Sequence, residues 1–175
     1  MLAALALGAG LGAAPFAALD WTWRGLACGI VATAPLLLGL RWCLRTQFGP
    51  VERLVHLAEA RIAPLFAGST TLELGAVAAL AGLGEEALFR GVIQTALGGH
   101  LPVWAAITLT AALFGVAHWL TPTYAVLAGI VGGYLGWAFA VSGNLLVPIV
   151  AHALYDLVAL AVLVRGGLRS AEPVA

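Results

Sequence analysis

Lysine is absent from this chain, and all eight of its cationic side chains are arginine. Only 9% of the 175 residues are charged, and the formal net charge is zero. With no basic stripe to follow a phosphate backbone, nucleic acid is excluded as a partner. Cysteine is scarce as well: Cys28 and Cys43 are too few for a disulfide framework. On one helix, fifteen steps would hold them roughly 22 Å apart, beyond bridging distance. The shortage of charge excludes a soluble enzyme and a disordered chain, because ordinary soluble domains are about 25% charged and about 45–50% apolar. Here 62% of the residues are hydrophobic and the mean hydropathy is +1.03. These values describe a single integral-membrane domain over 1–175. All-arginine usage with abundant Ala, Leu and Gly points to a GC-rich bacterial genome.

Apolar runs that can cross a bilayer need roughly 17–25 residues. Six are expected, at about 2–19, 25–40, 70–97, 102–118, 123–142 and 145–164. Between the first two, Asp20 to Arg24 with Trp21 and Trp23 reads as an interfacial turn. Residues 41–66 break the pattern and hold Arg41, Arg45, Arg53 and Arg61. From Pro50, Val51, Leu54, Val55, Leu57, Ala58 and Ile62 recur at helical spacing, with Glu52, Arg53, Glu59 and Arg61 between them. This pattern predicts an amphipathic helix on the membrane surface. The fold class is therefore all-α: a polytopic transmembrane bundle of about six spans plus one interfacial amphipathic helix. The arginine bias, with Arg165 and Arg169 after the last span, places the 41–66 segment and both termini in the cytoplasm of a multi-pass cell-membrane protein. Gly129, Gly132, Gly133 and Gly136 stripe one face of the fifth span, a spacing that permits close helix packing.

Against this background a few ionisable groups stand out inside the apolar spans: Glu73, Glu85, Glu86, Arg90, His118, His152 and Asp156. A charge at the bilayer centre costs about 2.5–3.5 kcal/mol on insertion scales, so each needs a partner or a task. Glu86 and Arg90 are i,i+4 neighbours and can neutralise each other. Glu85 is rotated about 100° away and is left over for chemistry. For Glu86 and Arg90, a buried pair that pins helices is the plain structural reading. Phe114 and His118 share a face at i,i+4, as do His152 and Asp156, where the carboxylate can orient the imidazole. Acidic groups, imidazoles and an arginine on three helices converge on acid–base hydrolysis or metal binding. His56 and His100 fall in interfacial segments and join no cluster.

Taken together, Glu85-Glu86-x-x-x-Arg90, Phe114-x-x-x-His118 and His152-x-x-x-Asp156 are similar to the motifs of the CPBP (CAAX protease and bacteriocin-processing) intramembrane endopeptidases. This family is also called the Abi or type II CAAX proteases. The match covers about residues 84–156, inside an expected catalytic core over 70–165. The resemblance implies that Glu85 is the general base that activates a water and that His118 helps to hold it. His152 and Asp156 would polarise the scissile carbonyl and its oxyanion. Glu86 and Arg90 would support Glu85 and the substrate's backbone or terminus, with Phe114 as a supporting or substrate-binding residue. The substrate would be a membrane peptide or protein in the lipid bilayer, and no cofactor is required. The family commonly has more spans than the six counted here, which marks a short or truncated member. Asp156 stands where the prenyl proteases carry Asn; an ionised Asp cannot donate a hydrogen bond, so it would either be protonated or, in the cheaper arrangement, act by orienting and charging His152. That difference turns the expectation from prenylated CAAX substrates towards bacteriocin maturation, immunity or other membrane-peptide processing.

Two alternatives remain at this level. One is a metal-dependent form of the same enzyme, with Glu85 or Glu86, His118 and His152 as zinc ligands, although the sequence has no H-E-x-x-H. The other is a non-enzymatic membrane protein, a small transporter or an immunity or scaffold protein, whose polar cluster is a proton or ion site.

Overall fold

The computed structural model describes residues 1–170, and the side chains of 167–170 are not among what it describes. Residues 171–175, the end of the segment expected in the cytoplasm, therefore lie outside the described residues, as does the side chain of Arg169. The described residues are mainly helical and include no strand. Its elements are α1 (Leu2–Leu11), α2 (Trp23–Cys43), α3 (Gly49–Arg61), a 3-10 turn (Ala63–Phe66), α4 (Thr71–Glu86), a π-helical segment (Ala87–Gln94), α5 (Thr95–Gly98), α6 (Val103–Ala117), α7 (Pro122–Ser142) and α8 (Leu146–Ser170).

Among the described residues three helices are long and apolar enough to cross a membrane: Trp23–Cys43, Pro122–Ser142 and Leu146–Gly166. Each has 21 residues, a rise of about 31 Å, which matches a hydrocarbon core of about 30 Å. The count of about six spans is not reproduced. The expected first span, 2–19, stops at Leu11, because Gly12 turns the backbone left-handed at φ 66° and Ala13 N–H closes onto the Gly8 carbonyl. Ten residues rise only about 15 Å. The chain then folds back through turns to 19. α6, at 15 residues, rises about 22 Å. The expected third span is a continuous helical run over 71–98 that changes geometry midway and carries its own charges. One of these, Glu73, belongs to no polar cluster: it forms a capping box with Thr70 at the exposed start of α4.

Glycine sets the distances between helices. A Cβ on Gly29 of α2 would lie 2.6 Å from Val150 of α8, and one on Gly115 of α6 would lie 2.5 Å from the Ala125 carbonyl of α7. α8 is central, packing against both α2 and α4, while α6 packs against α7. The α1–α2 and α7–α8 connections meet at one end of the bundle. There Asn144 accepts from Asp20 N–H at 3.1 Å and donates to the Asp20 carbonyl at 2.8 Å. At the other end α3 buries Val51, half-buries Leu54, Val55 and Leu57, and exposes Glu52, Arg53 and His56, as its amphipathic spacing predicts. A cavity of about 500 Å³ separates α3 from the α6–α7 connection, with Arg53, Leu57, Thr121 and Thr123 in its wall.

Candidate active site

The three motifs meet between α4, α6 and α8. Glu86 closes α4, and the helical run then widens into the π segment, a geometry frequent at functional sites. Glu86 Oε1 accepts from Arg90 Nη1 at 2.9 Å and lies 2.7 Å from His152 Nδ1. Glu86 and Arg90 are fully buried, and the side chain of His152 is 6% exposed. The other nitrogen of His152, Nε2, lies 3.4 Å from Asp156 Oδ2. Both imidazole nitrogens thus face carboxylates. Arg90 spends a second donor on the Gly132 carbonyl of α7. One turn on, Gln94 donates to the Gly136 carbonyl at 2.9 Å. The glycine stripe of α7 therefore does more than permit packing, since two of its carbonyls dock the π segment. A Cβ on Gly136 would lie 2.7 Å from Gln94 Oε1.

Glu85 points elsewhere. Its Oε2 lies 3.3 Å from His118 Nε2, within ion-pair distance but without hydrogen-bond geometry. Both side chains reach the surface, at 33% and 23% exposure. His118 caps α6, and its Nδ1 lies 2.8 Å from the Phe114 carbonyl. A carbonyl only accepts, so Nδ1 carries the proton and Nε2 is the atom that faces Glu85. Phe114 is the packing core between the two halves. Its ring stacks on His118 at 4.4 Å, meets His152 at 6.0 Å and lies 4.9 Å from the Arg90 guanidinium carbon.

All six ionisable residues expected from the sequence, with Phe114, are thus drawn into one cluster. Glu86 and Arg90 have no exposed surface, and Arg90 is taken up by Glu86 and α7. Phe114, at 3% exposure, packs between the two imidazoles. The zinc set of Glu85, His118 and His152 is divided, because His152 turns both nitrogens towards Glu86 and Asp156. Among the described residues no three His, Cys, Asp or Glu side chains are placed to hold a metal ion together. His56 lies 3.5 Å from Glu59 on the exposed face of α3, and His100 is exposed, both away from the cluster. Sequence reasoning missed Gln94, although it continues the Glu86–Arg90 row by another i+4 step. It also missed Tyr124 on the first turn of α7, whose ring meets His118 edge-on at 6.1 Å. No pattern in the sequence singles that tyrosine out.

Comparison with known proteins adds a separate line of support. The uncharacterized protein YpbD of Bacillus subtilis is 37% identical over 76 residues, which are 42% of this chain and 36% of that relative. The chain thus covers well under two thirds of the relative's length. No solved structure matches it. The profile described as type II CAAX prenyl endopeptidase Rce1-like matches residues 67–158, a stretch that begins just before α4 and ends beyond Asp156. With more than half of its length matched, the site included, this chain belongs to the Rce1-like type II CAAX prenyl endopeptidase family.

Proposed function

We propose that the protein is an intramembrane endopeptidase that hydrolyses a peptide bond with a water activated by Glu85. The observation that carries this reading is the contrast between the two adjacent glutamates. Glu86 is sealed and committed to Arg90 and His152, whereas Glu85 is part-exposed and shares its side of the cluster with the Nε2 of His118. A water beside Glu85 and His118 Nε2 can donate a hydrogen bond to each. Glu85 takes one proton as the oxygen bonds to the carbonyl carbon, and the carbonyl oxygen becomes an oxyanion. When the tetrahedral intermediate collapses, the C–N bond breaks and Glu85 returns its proton to the departing amine. His152, held between Glu86 and Asp156, and the buried Arg90 supply positive charge behind the site. No step passes through a metal.

The membrane arrangement completes the proposal. The helical run over 71–98 and the shorter α6 lie in the bilayer alongside α2, α7 and α8, with their polar groups turned to the bundle interior, where such groups cost least. α1 enters without crossing. The mouth beside His118 lies at the end that carries α3 and its arginines, which the positive-inside rule puts in the cytoplasm. The substrate is a membrane-anchored peptide or protein.

The test is a cleavage assay on the purified full chain in lipid vesicles, with a farnesylated CAAX peptide and an unprenylated membrane-anchored peptide as separate substrates. Each is run with and without a strong chelator. Cleavage of at least one substrate that persists in chelator is expected. Cleavage abolished by chelator and restored by zinc would overturn the metal-free mechanism. Failure to cleave either peptide or a library of membrane-anchored peptides would favour a transporter or scaffold.

A further inference from the structure

An acyl-transfer site needs a hydrogen-bond donor where the oxyanion forms. The described side chains leave few. His118 spends Nδ1–H on the Phe114 carbonyl and turns Nε2 to Glu85. His152 turns both nitrogens to Glu86 and Asp156. The free Nε of Arg90 is sealed inside the bundle. Asp156 is an acceptor when ionised, and so are both glutamates.

The phenol of Tyr124 is different. Tyr124 is half-buried on the first turn of α7, next to the cluster's part-exposed edge. Its ring stands edge-on to His118 at 6.1 Å, with 78° between the planes. Its backbone N–H is bound by the Thr121 hydroxyl, which fixes the first turn, while its own hydroxyl has no partner among the described residues. Asp156 and Glu85 are both close enough to act on that hydroxyl electrostatically. Tyr155 packs on the Leu36, Leu135 and Ala151 cluster, and Trp119 lines an apolar cleft between α6 and α7.

We infer that Tyr124 is a further catalytic residue, whose phenolic O–H donates to the oxyanion formed when water adds to the scissile carbonyl. The phenol keeps its proton throughout: it donates a hydrogen bond as the oxyanion develops, and the bond weakens as the carbonyl re-forms and C–N breaks. The role deepens the peptidase reading and rests on it.

The experiment compares wild type with Tyr124→Phe, which keeps the ring against His118 and removes only the hydroxyl. Two quantities are read for a peptide that the protein cleaves or binds in vesicles: kcat and KM, and the Kd of the same peptide with a phosphinate in place of the scissile amide. The phosphinate presents anionic oxygens at the tetrahedral centre. Tyr124→Phe is expected to lower kcat by about 10²-fold with KM unchanged, and to weaken phosphinate binding by a similar factor while the parent peptide binds as before. Thermal melting should match wild type. Unchanged kcat and phosphinate affinity would overturn the role of Tyr124 and leave the peptidase reading intact. Equal loss of affinity for both ligands would also overturn it, since that marks ordinary packing. If wild type itself binds phosphinate no better than the parent peptide, the hydrolytic reading fails together with it.

Discussion

Glu85 and Glu86 are neighbours in the chain, yet the fold sends them into opposite surroundings. Glu86 lies at the centre of a dry knot in which Arg90, His152, Gly132 and Gln94 tie the π segment to α7 and α8. Glu85 lies in a half-open pair with His118. The buried charge of Arg90 in the first region is paired with that of Glu86, because an unmatched charge there is far costlier than one in contact with water. In the second region the carboxylate is part-exposed and faces an imidazole nitrogen at 3.3 Å. The first region ties three helices together. In the proposed mechanism the second supplies the proton acceptor. About 100° of helix rotation sends the two carboxylates into these different surroundings.

Substitutions that affect one region alone would break or sharpen this contrast. The largest effect is expected at Glu85→Gln, which keeps shape and removes the base. Cleavage should fall by about 10³–10⁴-fold, while the melting temperature in detergent stays at the wild-type value. Wild-type cleavage by this variant would erase the division of labour. Next comes Glu86→Gln, which leaves Arg90 and His152 buried with a weakened partner. It should lose about 3–5 kcal/mol of stability, read as an early melt and poor accumulation, with activity lost along with the folded fraction. A normal melt for Glu86→Gln beside an early one for Glu85→Gln would invert the comparison. The smallest effect is expected at Gln94→Ala, at the far end of the knot. Losing one interhelical hydrogen bond to Gly136 should cost about 1 kcal/mol. The melt should shift slightly, and the kcat of the folded protein should hold within a factor of a few. A collapse of kcat at this position would show that the knot tunes the chemistry as well as holding it.

The fate of particular residues shows how far the sequence could be read. Glu86 with Arg90, Phe114 with His118 and His152 with Asp156 are all i,i+4 pairs, and helical geometry alone puts such residues on one face. The all-helical class, the amphipathic face of α3 and the separation of Cys28 from Cys43 on α2 are equally local consequences of spacing and composition. Glu73 differs for the opposite reason: composition places it in a span, while its capping box with Thr70 puts it at an exposed helix start. The π segment and the early stop of α1 depend on contacts from elsewhere. The Pro15 carbonyl, for example, sits where a Cβ on Gly91 would be.

By itself, then, the sequence determined helicity, the apolar character of the bundle and the three short-range pairs, because each follows from neighbours one turn apart along a single helix. Only the tertiary structure decided that Glu86 meets His152 across 66 positions and that Arg90 reaches Gly132 across 42. It also decided that Glu85 faces His118, that Tyr124 stands beside them and that, among the described residues, three of the apolar helices run long enough to cross. Those outcomes depend on the register and distance between helices. Both are set by close approaches at Gly29, Gly82 and Gly115, and no periodicity within one helix encodes the position of another.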